Sequence, residues 1–443
     1  MQTNFTPQAL ADPQMQASEK ILRSCVHCGF CTATCPTYLL GGDELDSPRG
    51  RIYLIKDMLE NQRPASAREV LHIDRCLSCL ACMTTCPSGV NYMHLIDHAR
   101  AYVEATYKRP LADRMLRTML AKIMPSRRLF SLALRGARLA QPLAPMLARV
   151  PHVGPKLAAM VALAPKRPAP REARRQPGEY PAPQSAAPRR RVALLAGCVQ
   201  SVLTPGANAA AIRLLNRCGV DVVLARNEKC CGSVDHHMGR EAASRRYACA
   251  TIDAWDAEIQ GKGLEAILMT ASGCGTTIKD YGFTFRDDPA YAAKAARVAA
   301  LTKDITEFLA PMDLPFATPQ RLTVAYHAAC SLQHGQKILD APKALLRRAG
   351  FTLREPAESH ICCGSAGTYN MLQPEISAQL RARKLGHIAK LKADVVAAGN
   401  LGCITQLSLG ATTPVVHTIE LLDWACGGPA PQGLPQPAPA AEH

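Results

Sequence analysis

From residue 192 onward, apolar residues fall into short unbroken runs separated by amphipathic stretches. RVALLAGC ends at Cys198, EAILMTASGC at Cys274, LTVAYHAAC at Cys330 and ADVVAAGNLGC at Cys403. Unbroken apolar runs of this length read as strands covered on both faces, the pattern of a parallel sheet. Between them the apolar period becomes helical, with Leu214-Leu215 and Leu345-Leu346 on the buried side and glycine stops at Gly219 and Gly350. Strands alternating with helices predict an α/β unit.

The pattern occurs twice. In each copy a strand ends on a cysteine, a helix and a second strand lead to a CCGS tetrapeptide, and a further helix and strand lead to one more cysteine. The first cysteine and the pair are 32 positions apart in both copies. Cysteines are expected at strand C-terminal ends, where open α/β sheets bind ligands. The region before residue 192 has a different texture. Residues 15–100 predict short helices between two cysteine-rich loops, and residues 101–191 predict a basic connection. Within that connection, short helices run to about 165 and a flexible Pro/Ala/Arg linker spans 166–191. The expected organisation is therefore a helical ferredoxin-like domain (15–100), the linker (101–191) and a duplicated α/β domain (192–426, repeats 192–319 and 320–426). A disordered tail is expected at 427–443. The fold class is mixed, α+β at the N-terminal side and α/β in the repeats.

With 443 residues, 48% of them apolar and only 5% aromatic, two or three Ala/Leu/Val-built domains are expected. The 19 cysteines are grouped two or three residues apart, and the first 20 residues are polar, without a signal-peptide core. Thiolate ligands in a reducing cytoplasm are expected, not disulfides. The net charge of +16 is concentrated in residues 100–191, which hold 20 Lys/Arg against 4 Asp/Glu. This stretch has few aromatics and no nucleic-acid-binding signature, so it reads as a surface for a membrane or an acidic partner, or as a solvated linker, and not for nucleic acid. No apolar window of about 18 residues exists, so no spanning helix is expected. Residues 129–165, broken by Arg135, Arg138, Arg149 and Lys156, are expected as short amphipathic helices lying on a bilayer, on a partner or on the protein itself.

The sharpest chemistry lies near the N-terminus. Cys25-x2-Cys28-x2-Cys31-x3-Cys35-Pro36 is followed by Cys76-x2-Cys79-x2-Cys82-x3-Cys86-Pro87. Two-residue gaps bring three thiolates onto one cubane, and the fourth cysteine reaches across to the other cluster. The expected [4Fe–4S] sites are therefore Cys25, Cys28, Cys31 and Cys86, and Cys76, Cys79, Cys82 and Cys35. Zinc sites usually show two separated ligand pairs, which this spacing does not. Two clusters with crossed ligands must lie close together, which suits electron transfer. Arg49 and Arg51 are candidates for stabilising an anionic cluster or meeting a donor subunit, or are ordinary surface arginines.

The repeats add Cys198, Cys230, Cys231 and Cys274, then Cys330, Cys362, Cys363 and Cys403, as candidate ligands of a further cluster or as a redox dithiol. Cys218, Cys249 and Cys426 fall outside the pattern and read as core residues. His236, His237, His327, His334 and His360 lie near these sites. His327, three positions before Cys330, is a candidate ligand or proton relay, with a hydrogen-bonded structural histidine as the alternative. No G-x-G-x-x-G follows a strand and there is no P-loop, so no FAD or NAD is expected on this chain. Two-electron chemistry then belongs to a flavin-bearing partner.

CVHCGFCTATCPTY (25–38), DELDSPRGRIYLIK (43–56) and CLSCLACMTTCPSGVNY (76–92) resemble the iron–sulfur subunit of bacterial glycolate oxidase, also called glycolate dehydrogenase. The CCG repeats resemble the cysteine-rich domain shared with heterodisulfide reductase and an anaerobic glycerol-3-phosphate dehydrogenase subunit. The resemblance implies an electron-transfer subunit of a complex in which flavin subunits oxidise glycolate to glyoxylate. Electrons then pass towards a membrane quinone, with the subunit peripheral on the inner face of the cytoplasmic membrane. It leaves open a subunit of a lactate or glycerol 3-phosphate dehydrogenase, or a thiol–disulfide enzyme. One departure stands out. Heterodisulfide reductases end each repeat in C-x2-C, whereas here the first position is Ala271 or Asn400.

Overall fold

The computed structural model describes residues 1–151, 153–165, 169–170, 175–183, 190–317 and 321–434. The N-terminal part is all helical: α1 (Pro13–Ser24), α2 (Pro36–Gly41), α3 (Pro48–Glu60), α4 (Ala67–Asp74), α5 (Ala81–Thr85) and α6 (Tyr92–Thr106). Local chemistry sets the starts. Asp12 caps α1, accepting from the Gln14 amide at 2.7 Å, and Ser47 caps α3 ahead of Pro48. Ser66 and Glu69 form a capping box on α4. Leu22, Ile55, Met58, Leu59, Ile73, Leu95 and Val103 close into one core between the two cysteine loops. Next come α7 (Leu111–Ile123) and α8 (Arg127–Ala140). Arg109 and Arg117 anchor α7 by meeting Asp74 at 2.7 Å each.

The C-terminal part holds two sheets. In the first, β1 (Gly178–Tyr180), β2 (Arg190–Leu194), β3 (Val220–Leu224), β4 (Ala266–Met269) and β5 (Thr302–Asp304) run in the order β1-β3-β2-β4-β5. In the second, β6 (Thr323–His327), β7 (Thr352–Arg354), β8 (Val395–Ala398) and β9 (Val415–His417) run in the order β7-β6-β8-β9. All pairings are parallel except β1 with β3. Without β1 the two orders are identical, which is the duplication seen in the sequence. One apolar core runs between the sheets, from Val192 and Leu214 of the first repeat to Tyr326, Leu345 and Leu422 of the second. The repeats exchange helices across it: Pro205–Arg217 packs on Thr418–Ala425, and Ile305–Leu309 on Ala341–Arg348. Arg213 and Arg217 both meet the buried Asp423 at 2.6 Å.

Two stretches differ from expectation. Within the predicted flexible linker 166–191, β1 is an ordered edge strand, held because Asn216 donates to the Tyr180 carbonyl at 3.0 Å and the Ala182 amide donates to Asp221 at 2.7 Å. Residues 166–168, 171–174 and 184–189 of that linker lie outside the described residues. Likewise, Ala430 and Leu434 of the predicted tail pack on the core between the sheets, and 435–443 lie outside the described residues. No helix among the described residues is long and apolar enough to cross a membrane.

Candidate metal centres

The two N-terminal cysteine loops share a backbone signature. Two and four positions after the first cysteine, the chain turns left-handed: His27 and Gly29 in one loop (φ 55° and 85°), Ser78 and Leu80 in the other (φ 48° and 63°). Alternation of this kind points successive N–H groups into a concavity, a nest for an anion. Three of the four residues carry a side chain, so the conformation is strained and must be imposed by its surroundings. At Gly29 a side chain would also displace the Arg49 guanidinium, since a Cβ there would lie 2.7 Å from Arg49 Nη1.

Cys25, Cys28, Cys31 and Cys86 line one cavity together with Cys82, Arg49 and Tyr92. Cys35 lies on the other side, in the electrostatic field shared by Cys76, Cys79 and Cys82. Arg51, 1% exposed, extends between the loops: Nε donates to the His72 carbonyl at 2.7 Å, and Nη1 lies 3.9 Å from Cys35 Sγ. Arg100 donates to the Cys76 carbonyl and to Ser78 Oγ, both at 2.6 Å, and so holds the second loop. Burial pushes the Cys31 thiol up to about 11 and those of Cys79 and Cys82 well above the usual thiol range. Buried thiols of this kind become ligands when a metal displaces their protons. A dense set of soft donors around an amide nest fits an iron–sulfur cluster.

Each repeat gathers four more thiols. Cys198 and Cys230 sulfurs lie 3.5 Å apart, Cys330 and Cys362 sulfurs 3.9 Å apart. Cys231 neighbours Cys274, and Cys363 neighbours Cys403. The glycine after each pair is left-handed (φ 84° and 88°) and donates to the first sulfur of the pair at 3.4 Å, in Gly232 and Gly364 alike. Cys274 and Cys403 sit in the first turns of helices Ser272–Lys279 and Leu401–Ser408, not at strand ends as expected. The reason is that β4 and β8 stop at Met269 and Ala398 and the chain turns into a helix before the cysteine arrives. Cys218 and Cys426 pack on the core between the sheets, and Cys249 is half-buried on Glu241–Gln260.

The N-terminal domain is clamped between the repeats. Leu77, Cys79 and Ala81 of the second loop pack against Ile361, Cys362, Tyr369 and Leu380 of the second repeat. Tyr369 donates to the Arg75 carbonyl at 3.0 Å, and Thr84 Oγ1 lies 2.7 Å from His334 Nδ1. After burial, Cys330 is the group that most raises the Cys79 thiol, which places the two sites side by side. His334 thus acts in structure: its ring also meets the His360 backbone carbonyl at 3.0 Å.

On the other side, α6 meets the first repeat. Asp97 lies 3.0 Å from His236, and His94 lies 2.8 Å from Asp280. Asp97 was not singled out by its local sequence, because it acts on a partner far away in the chain. Against the upward push of burial, His236 holds the Asp97 carboxyl down to about 2, with His237 and Arg100 adding to it. Against the downward push of burial, Asp97 and Asp280 hold His236 up. The Asp97 contribution is therefore present above its ordinary 3.8 and is lost as pH falls towards 2. The His236 contribution is full below its ordinary 6.5 and is lost as pH rises through its raised value. Docking of α6 should be tightest between about pH 4 and 6.5. Hydrogen exchange of residues 94–101, corrected for intrinsic rate, should be slowest there, and His236→Gln should remove the alkaline loss. An unchanged profile in that variant would count against the pair.

Residues 24–90 match the 4Fe-4S dicluster domain family, and residues 192–279 and 324–408 each match the cysteine-rich (CCG) domain family. The chain is 42% identical over 427 residues to the glycolate oxidase iron-sulfur subunit of Escherichia coli (strain K12), covering 96% of this chain and 99% of that protein. It is 30% identical over 430 residues to the probable glycolate oxidase iron-sulfur subunit of Bacillus subtilis (strain 168), covering 92% and 94%. Lactate utilization protein A of Shouchella clausii (strain KSM-K16) is 27% identical over 243 residues, which is 52% of this chain and 98% of that protein. The dicluster match and the cysteine-rich repeats identify an iron–sulfur protein with two [4Fe–4S] clusters in its N-terminal domain.

Proposed function

This chain belongs to the family of glycolate oxidase iron–sulfur subunits, and from that premise we propose that it relays electrons from flavin subunits that oxidise glycolate to glyoxylate. Cys25, Cys28, Cys31 and Cys86 hold one cluster, and Cys76, Cys79, Cys82 and Cys35 hold the other. When bound, these clusters supply one-electron redox chemistry. The residues around them exclude water and set charge: Arg100 braces the second loop, Arg51 lies beside Cys35, Arg49 covers the first loop, and Tyr92 Oη lies 3.8 Å from Cys76 Sγ. The single observation that carries the reading is the packing of Cys79 on the Cys330–Cys362 pair. It makes the repeats the next station beyond the ferredoxin-like domain. The isolated chain, with no flavin motif of its own, is a carrier and not the site of substrate oxidation. Anaerobic co-purification of the native complex tests this. Flavin should be found on partner subunits, and glycolate should reduce the clusters within the complex. Reduction by lactate and not by glycolate would assign the chain to another dehydrogenase.

The delivery end is proposed to be quinone in the cytoplasmic membrane, with the subunit peripheral on its inner face. Leu132 (59% exposed), Leu139 (83%), Leu143 (51%) and Met146 (64%) are uncovered on α8 and the turns after it, flanked by exposed Arg128, Arg135 and Arg149. Apolar side chains rimmed by arginine suit the headgroup boundary of an anionic bilayer. Changing these four apolar residues to serine should weaken binding to phosphatidylglycerol vesicles by roughly tenfold or more. Unchanged vesicle binding with loss of the flavin subunits would assign this face to the partner instead.

A further inference from the structure

The two thiol sites of the repeats differ at three positions, of which His327 and Lys384 are buried in the second repeat and Asn400 is partly exposed. His327 stands three residues before Cys330, where Leu195 stands three before Cys198. Asn400 stands three before Cys403, where Ala271 stands three before Cys274. The third difference follows from the helices that close over each glycine. A Cβ on Gly232 would meet the Ser244 carbonyl at 2.7 Å, and one on Gly364 would meet the Ser377 carbonyl at 2.6 Å. With those serines matched, Lys384 takes the place of Thr251.

His327 ends β6 and is 1% exposed. Among the described residues neither Nδ1 nor Nε2 has a hydrogen-bond partner, which removes the support for a hydrogen-bonded structural histidine there. A ring nitrogen and the sulfurs of Cys363 and Cys403 lie within 4.8 Å of one another. Cys363 and Cys403 sit in an apolar cluster with Ala325, Ala329, Leu332, Val396, Ala398 and Leu407, and the charge of Lys384 is felt at the His327 ring. An imidazole stripped of water without compensation is costly, and two orphaned nitrogens call for a partner that the protein itself does not supply. Nearby, the 2%-exposed Lys384 donates to the Glu358 carbonyl at 2.6 Å, and Asn400 Nδ2 donates to Cys403 Sγ at 3.6 Å. Burial pushes the Lys384 amine down, and Cys363, Cys362 and Cys403 oppose that push when their sulfurs are anionic.

We infer that His327 is a nitrogen ligand to iron at the second-repeat centre, alongside Cys330, Cys362, Cys363 and Cys403, while the first-repeat centre has thiolates alone. The inference rests on the reading that the repeat cysteines hold iron. A neutral imidazole adds a donor without adding negative charge, and Lys384 offsets part of the thiolate charge. The Lys384 charge, which has no counterpart in the first repeat, raises the reduction potential of the second. The second repeat, packed on Cys79, is then the better electron acceptor of the two, and the duplicated sites are chemically unequal.

The test uses the full-length chain isolated anaerobically, with and without ¹⁵N-histidine, and pulsed electron paramagnetic resonance of the partly reduced protein. A strongly coupled nitrogen should appear, change with the isotope, and vanish in His327→Leu, which installs the first repeat's residue. His327→Cys should keep the iron, lose the nitrogen coupling and shift the potential downward. Cys362→Ser tests the underlying reading separately. If that variant keeps all its iron and every signal, no centre exists in the second repeat. If it loses iron but the wild type shows no histidine nitrogen, the centre stands and the His327 assignment is overturned. The isotope result on the wild type decides the matter even if His327→Leu does not fold.

Discussion

Cys79→Ser should remove about four irons per chain, leave the signal of the other cluster in place and drop glycolate-dependent dye reduction to background. Cys79 is the right position for this experiment because it does two jobs. It belongs to the thiol group formed with Cys35, Cys76 and Cys82, and it is the thiol of that group packed on the second repeat. Serine fills nearly the same volume, so the helices around it have no cavity to collapse into. Its hydroxyl, however, is a hard and weakly acidic donor that replaces a thiolate poorly. Iron analysis and electron paramagnetic resonance read the loss directly. Full iron content with normal turnover would break both the ligand assignment and the proposed route. Cys28→Ser should instead remove the other centre, because Cys28 lies in the cavity with Cys25, Cys31 and Cys86.

Arg51→Met should destabilise the N-terminal domain by about 3–5 kcal/mol, since it breaks a buried charge network from one side. Arg51 Nη2 donates to Thr37 Oγ1 at 3.1 Å and meets Asp46 Oδ1 at 3.3 Å. Asp46, itself 5% exposed, also holds His72 at 2.9 Å and Arg75 at 2.8 Å. Methionine replaces the volume but leaves Asp46 short of one cation and the His72 carbonyl without its donor. It also removes a positive charge next to Cys35, so the second cluster should become harder to reduce. The urea concentration at which the cluster absorbance bleaches should fall, and Arg51→Lys should recover only part of it, because one ammonium nitrogen cannot reach the His72 carbonyl, Cys35, Thr37 and Asp46, which the guanidinium meets from three separate nitrogens. An unmoved bleaching midpoint in Arg51→Met would show that the network carries no net stability. The sequence left Arg51 as a possible surface residue. Its burial comes from α3 turning that face towards α4 and the second loop, which no local pattern announces.

The legible part of this protein is the part whose physics is local. Unbroken apolar runs marked β2, β4, β6 and β8, because a parallel strand buried on both faces needs no polar alternation. Repeated glycines and CCGS tetrapeptides marked the duplication. Cysteine spacing marked the thiol groups, because a two-residue gap limits how far apart consecutive sulfurs can lie. By contrast, β1, β5 and β9 are three residues each, too short to carry a period. The order of β1 in a Pro/Arg-rich stretch came from Asn216 and Asp221, residues of a neighbouring helix and strand.

The sequence by itself determined which sulfurs can act together within a loop and that the α/β unit is present twice. It could not determine that the second loop sits on the second repeat, that Asp97 pairs with His236, or that His327 is left without a hydrogen-bond partner. Those outcomes join residues more than a hundred positions apart, or depend on what the fold withholds from a side chain. They arise only when helices and sheets pack, since burial and orphaned polar atoms are properties of the assembled surroundings and not of neighbours along the chain.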